Sequence, residues 1–180
     1  MERAIVFVDG NNLHNGLREL YGIERLDLEP FSWHLVENRR LVHIIYADSN
    51  FFKERNPEAY SRQQAYFSSL RSIKHGFKFQ QGYFSRHTNP PTEKRADVHL
   101  AVAMVDLCHR DAFDIAYVIS GDSDLQPAVE VVRRNSKRLV NVYFNKEPRI
   151  SALRGHCHYF KEITRTLATA YAWMPSGVSK

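Results

Sequence analysis

Residues 4–8, AIVFV, carry no polar side chain and end abruptly on Asp9-Gly10. A strand with this run has no face left for water, so it fits only a sheet that is covered on both sides. Similar runs recur at 41–47 (LVHIIYA), 77–84 (FKFQQGYF), 115–120 (IAYVIS) and 139–144 (LVNVYF). Helical patterns lie between them. Residues 12–20 place Leu13, Leu17 and Leu20 at helical spacing, and 57–74 open with a proline suited to a first turn. Residues 95–109 are apolar on most faces, and 124–135 carry Leu125, Val129 and Val132 on one stripe. A last helix is expected near 162–172. This alternation predicts an α/β fold, a three-layer α/β/α sandwich around a mainly parallel five-stranded sheet. One domain is expected over 1–174, followed by a disordered tail at 175–180 (PSGVSK). The one break in composition, 85–95 (SRHTNPPTEKR), reads as a long polar loop.

Composition narrows the class. The 180 residues are 43% hydrophobic and 25% charged, an ordinary globular balance that argues against disorder. The 25 basic and 20 acidic side chains give a net charge of +5, which suits a polyanionic partner without requiring one. Two cysteines, Cys108 and Cys157, are too few for a disulfide framework or a four-thiolate zinc site. No apolar run approaches the ~18 to 20 residues of a membrane span. The expectation is a soluble cytoplasmic chain with no membrane partner.

In open parallel sheets, ligands sit beyond the carboxyl ends of the strands, where the strand order reverses. Here the first strand is followed by Asp9-Gly10-Asn11-Asn12, the second by Asp48-Ser49-Asn50 and the fourth by Ser120-Gly121-Asp122-Ser123-Asp124. Asp97 opens the helix after the polar loop. Two carboxylates about 4 Å apart repel by roughly 4 kcal/mol at an effective dielectric near 20. Several of them converging need protonation, basic neighbours or a divalent cation. Oxygen-only donors suit Mg²⁺ or Mn²⁺. Each residue also has a plain structural reading. Asp9 can end a strand in an Asp-Gly turn, Asn12 can cap a helix, and Asp122 or Ser123 can cap the next one. Asp97 can be a first-turn carboxylate favoured by the helix dipole.

Taken together, FVDGNNL (7–13), KRADVHLAVAMVD (94–106) and VISGDSDLQPAV (118–129) resemble the NYN domains of the PIN-like nuclease superfamily, in the right order over roughly residues 3–145. The resemblance implies a PIN-like parallel sheet of order 3-2-1-4-5, with an acidic pocket at the strand ends. It implies that Asp9, Asp97, Asp122 and Asp124 are metal-binding catalytic carboxylates. Asn12 matches the polar residue that shapes the pocket, Ser120 and Ser123 match small hydroxyl residues near the phosphate, and Lys94 matches a lysine three residues before the helix carboxylate. Relatives commonly have a further Asp six residues after the one matching Asp97; here that position is Ala103. Asp106 lies on the side of the helix opposite Asp97, at about 100° per residue. It is either a solvated or salt-bridged residue or a replacement ligand.

The implied activity is Mg²⁺- or Mn²⁺-dependent hydrolysis of RNA, single-stranded by expectation, leaving a 5′-phosphate and a 3′-hydroxyl. The alternative is a weak or inactive module of the same fold that binds RNA or a protein partner; a homo-oligomer stays open. Lys53, Arg55, Arg62, Arg71 and Lys74, with Arg133, Arg134, Lys137 and Arg138, either hold the phosphate backbone or form a solvated face. Phe51, Phe52, Tyr83 and Phe84 either stack on bases or belong to the core. An aspartyl-phosphate protein fits less well, because the first strand ends on a single aspartate.

Overall fold

A computed structural model describes residues 1–51, 53–74, 76–85, 92–145 and 151–174, with the backbone alone at 81, 83–85 and 92–94. The expected tail at 175–180 and Phe52 lie outside the described residues, as do the side chains of Tyr83 and Phe84. Strand β1 (Arg3–Asp9) is buried from Ala4 onward. Its side chains alternate between two cores. Ala4, Val6 and Val8 enter one, and Ile5 and Phe7 enter the other. This is the two-sided burial that the AIVFV run requires.

The remaining elements cover these two faces. Helices α1 (Gly10–Tyr21), α2 (Leu28–Val36), α3 (Pro57–Arg71) and α6 (Arg165–Ala170) supply the first core. Helices α4 (Ala96–His109) and α5 (Gln126–Arg134) supply the second. The sheet between them contains β2 (Arg40–Ser49), β3 (Phe77–Ser85), β4 (Thr92–Lys94), β5 (Ile115–Ile119), β6 (Arg138–Tyr143) and β7 (Tyr159–Glu162). Its order is β4-β3-β2-β1-β5-β6-β7. All neighbours are parallel except β4, which pairs antiparallel to β3. Numbered along the chain, the parallel strands alone run 3-2-1-4-5-6. The expected order is therefore present, and the sheet has seven strands rather than five.

The two additions had weak local signals. β4 is three polar residues taken from the segment read as a loop, and its partner β3 creates it. β7 has no buried face of its own and is held by its pairing with β6. Helix α2 was also unforeseen. It is nine residues long, contains Pro30 near its start, and buries Leu28, Phe31, Leu35 and Val36. Among the described residues, no helix is long and apolar enough to cross a membrane.

What positions the site is the close seating of α1. A Cβ on Gly10 would lie 2.5 Å from the Tyr46 ring and 2.8 Å from the Asp48 Cβ. Tyr46 cannot swing away, because it is buried and its hydroxyl donates to Asp48 at 2.6 Å. We therefore expect Gly10→Ala to destabilise the protein by about 1–3 kcal/mol through overpacking. Gly155→Ala, where an added Cβ meets nothing within 4 Å, should be close to neutral. Urea unfolding midpoints of the two variants check this.

Candidate functional site

The parallel register brings the ends of β1 and β5 together, with Val8 opposite Ile119. Asp9 and Ser120 follow side by side, and Ser120 Oγ donates to Asp9 Oδ2 at 2.7 Å. The other Asp9 oxygen, Oδ1, accepts from the Asn12 backbone N–H at 3.0 Å. Asp9, not Asn12, is therefore the N-cap of α1. The Asn12 side chain reaches across instead, its Oδ1 accepting from the Gly121 N–H at 3.2 Å.

From Ser120 the network continues outward. The Asp122 N–H donates to Ser120 Oγ at 3.1 Å, and the Asp124 N–H donates to Asp122 Oδ1 at 2.9 Å. Asp122 thereby caps the short 3-10 turn Ser123–Leu125 that leads into α5. Asp9 is 5% exposed and Ser120 1%, whereas Asp122 is half-buried and Ser123 and Asp124 are exposed. Capping and ligation are not exclusive. Each carboxylate oxygen has two acceptor sites, so accepting a hydrogen bond does not by itself prevent it from meeting a cation.

Asp97 joins from the opposite core. Arg95, at φ 77°, turns the chain from β4 into α4 and sets Asp97 in the first helical turn. Half-buried, Asp97 is held above the usual carboxylate range, first by desolvation and then by the negative charges of Asp122 and Asp124. The structure thus links Asp9, Ser120, Asp122 and Asp124 by hydrogen bonds and couples Asp97 to the last two by charge. Lys94 closes β4 three residues earlier, and its side chain lies outside the described part.

The remaining acids stand elsewhere. Asp48 is withdrawn from the cluster. It is buried, with Arg25 Nη1 3.4 Å from its Oδ2 and the Tyr46 hydroxyl donating to the same oxygen. Burial raises its carboxyl, and Arg25 opposes the rise. Ala103 packs against the second core. Asp106 is exposed and pairs with Arg110 at 2.9 Å. A supporting residue outside the motifs is Asn141, fully buried in β6, whose Nδ2 donates to the carbonyls of Val118 and Ser120. A lone amide inside the apolar run LVNVYF is the signal that marks it.

The donors suit a hard cation in kind, since they are all carboxylate and hydroxyl oxygens with mutual repulsion at Asp97. In spacing they do not form a closed cage: among the described residues, no three His, Cys, Asp or Glu side chains gather as a metal-holding group. Mg²⁺ keeps several waters and is commonly held by one or two carboxylates together with substrate phosphates, so an open cluster meets its requirement.

Two expectations follow from this geometry. Ser120→Ala leaves a buried Asp9 oxygen without its donor and should cost about 1–3 kcal/mol, read by urea unfolding. For Asp97, the folded protein binds its proton more tightly than the unfolded chain does. Without divalent ions, stability should therefore fall as pH rises from about 4 through the raised Asp97 value. Asp97→Asn should remove that slope and raise the thermal midpoint at neutral pH in EDTA.

The comparisons with known proteins agree with this architecture. A crystal structure of a protein of unknown function from Vibrio parahaemolyticus superposes with a TM-score of 0.67 at 18% identity, covering 91% of this chain and 93% of that one. At that identity the likeness concerns the fold alone. No curated protein matches the sequence. The family model of the NYN domain matches residues 3–164. The chain belongs to the NYN domain family, a family of PIN-like nucleases.

Proposed function

We propose that this chain is a cytoplasmic, metal-dependent ribonuclease that hydrolyses phosphodiester bonds of single-stranded RNA at the carboxylate cluster. The observation that supports this most is the hydrogen-bonded line of Asp9, Ser120, Asp122 and Asp124 at the strand ends, with Asp97 on the facing helix raised first by burial and then by the negative charges of Asp122 and Asp124. A stable fold does not need that repulsion, and a cation would relieve it. Asp9 and Asp122 would hold Mg²⁺ or Mn²⁺, with Asp97 and Asp124 as direct or water-mediated ligands. When bound, the ion supplies Lewis-acid polarisation of the phosphoryl oxygens and a water of lowered pKa.

The chain's own groups supply the placement. Ser120 fixes the Asp9 carboxylate and, through the Asp122 N–H, the start of the turn that carries Asp122 and Asp124. Asn12 ties α1 to that turn at Gly121. Ser123, exposed beside the acids, and Lys94 are assigned to the substrate phosphate. With no cation present, Asp97 keeps its proton to a higher pH than an ordinary aspartate.

A second reading is favoured by Ala103. With apolar packing at that position and Asp106 committed to Arg110, the cluster lacks the additional helix carboxylate common in relatives. That reading keeps the fold as a platform for RNA or a protein partner, without cleavage.

A cleavage assay on single-stranded RNA separates the two. We expect activity in Mg²⁺ or Mn²⁺, loss in EDTA, and losses of about a hundredfold or more for Asp9→Asn and Asp122→Asn, since ion-mediated stabilisation is worth several kcal/mol. Equal silence of wild type and both variants in either metal would leave the platform reading.

A further inference from the structure

On the far side of α1 from Gly121, a cavity of about 320 Å³ opens at the same carboxyl edge of the sheet. It is built from α1, the segment around Arg25, the residues that follow β2, and α3. Its walls carry the guanidiniums of Arg18, Arg25, Arg55 and Arg62 against a single carboxylate, Glu24. Arg25 is the structural member, paired with Asp48 beneath the rings of Phe51 and Tyr66, at 5.9 and 5.2 Å. Arg62 pairs with Glu24 at 3.4 Å and Glu58 at 3.8 Å, with both partners exposed. Exposed pairs of this kind are worth about 0–1 kcal/mol, so a phosphate can displace them. Arg18 is exposed one helical turn beyond His14.

The cavity also has an aromatic and a neutral polar wall. Phe51 lines it, its ring 5.7 Å from that of His14. His14 Nδ1 donates to the Glu24 carbonyl at 2.8 Å, since a carbonyl can only accept, and this leaves Nε2 as an acceptor. Burial and the nearby Arg25 lower the His14 pKa and keep the ring neutral. Arginines around an aromatic face form the combination that holds an unpaired nucleotide, with a base on the ring and phosphates on the guanidiniums. The volume is near the lower end of small-molecule sites, about 300–1,000 Å³, so it suits one nucleotide rather than a duplex. Arg18 lies six residues past Asn12, about 9 Å along α1 at ~1.5 Å per residue, so the cavity and the acidic cluster share one helix.

We propose that this cavity holds one unpaired nucleotide of the RNA strand presented to the carboxylate cluster, its base against Phe51 and its phosphates on Arg18, Arg55 and Arg62. The identity of the strand rests on the ribonuclease reading; the cavity's affinity for a nucleotide does not require cleavage. The test is fluorescence anisotropy of a labelled twelve-residue oligouridylate with the full chain in EDTA, on variants whose folding is verified by thermal unfolding. Arg18→Ala and Arg55→Ala should each weaken binding roughly three- to tenfold and lower the slope of log K against log salt by about 1. Phe51→Leu should weaken binding about tenfold with the slope unchanged, and Phe51→Trp should retain it.

Binding and slopes unchanged in all these variants would overturn the assignment. So would absence of RNA binding by wild type, or displacement of the RNA by polyglutamate at equal charge, which would mark a general polyanion or acidic-peptide surface. Cleavage of the same RNA is scored separately. Metal-dependent cleavage lost in Asp9→Asn, alongside unaffected binding in the arginine and Phe51 variants, removes the cavity and keeps the nuclease. Weakened binding in those variants with no cleavage by wild type does the reverse.

Discussion

The hydrogen bond from Ser120 to Asp9 is the contact on which the arrangement of the strand ends depends. A carboxylate that is 5% exposed is costly to bury unless its oxygens are satisfied. Asp9 meets that requirement with the Ser120 hydroxyl, the Asn12 N–H and the positive end of α1. Satisfying one buried charge fixes three elements at once: the end of β1, the first turn of α1 and the exit of β5. Gly10 lets that first turn lie flat on Tyr46 and Asp48, and Asn12 and Asn141 hold the β5 exit from either side. The acids of the turn Ser123–Leu125 inherit their position from this scaffold.

The first turn of α1 also divides two fields of opposite sign. Toward Gly121 lie Asp9, Asp122 and Asp124, with Asp97 facing them from α4. Toward Asp48 lies the cavity with four arginines. A polyanion drawn by the net charge of +5 is repelled by the first group and attracted by the second. On the proposed reading, the basic cavity provides the binding energy, while the acidic cluster receives a phosphate only after a cation has reversed its field.

Much of this was legible in the sequence, for identifiable reasons. Apolar runs with two buried faces cannot be mistaken, so β1, β2, β5 and β6 follow from pattern, and the motifs mark the acids that end β1 and follow β5. β4 and β7 are the opposite case. TEK and YFKE carry no periodicity of their own and become strands only because β3 and β6 present unpaired edges. The neutralisation of Asp48 by Arg25 was hidden for a related reason. It joins a loop to a strand end 23 residues away, and no spacing rule links them. Sequence alone therefore placed Asp48 among the strand-end acids, whereas folding buries it against Arg25, which lines the basic cavity.

That removal bears on the number of ions the cluster can use. With Asp48 paired to Arg25, Ala103 packed against the second core and Asp106 paired with Arg110, the acids left at the switch point among the described residues are Asp9, Asp97, Asp122 and Asp124. Asp9 is the most deeply placed, and the hydrogen bonds to its two oxygens fix the orientation of its carboxylate. Asp124 is exposed, where water screens its charge. Asp97, already raised by burial, also feels the negative charges of Asp122 and Asp124 on the β5 exit. On the proposed reading, one hydrated ion held by Asp9 and Asp122, with Asp97 and Asp124 beside it, would relieve that repulsion, and a second ion would have no further carboxylate to share. If the proposed ribonuclease reading holds, the departure at Ala103 favours one-ion over two-ion chemistry, with the rest of the charge compensation left to basic side chains near the substrate.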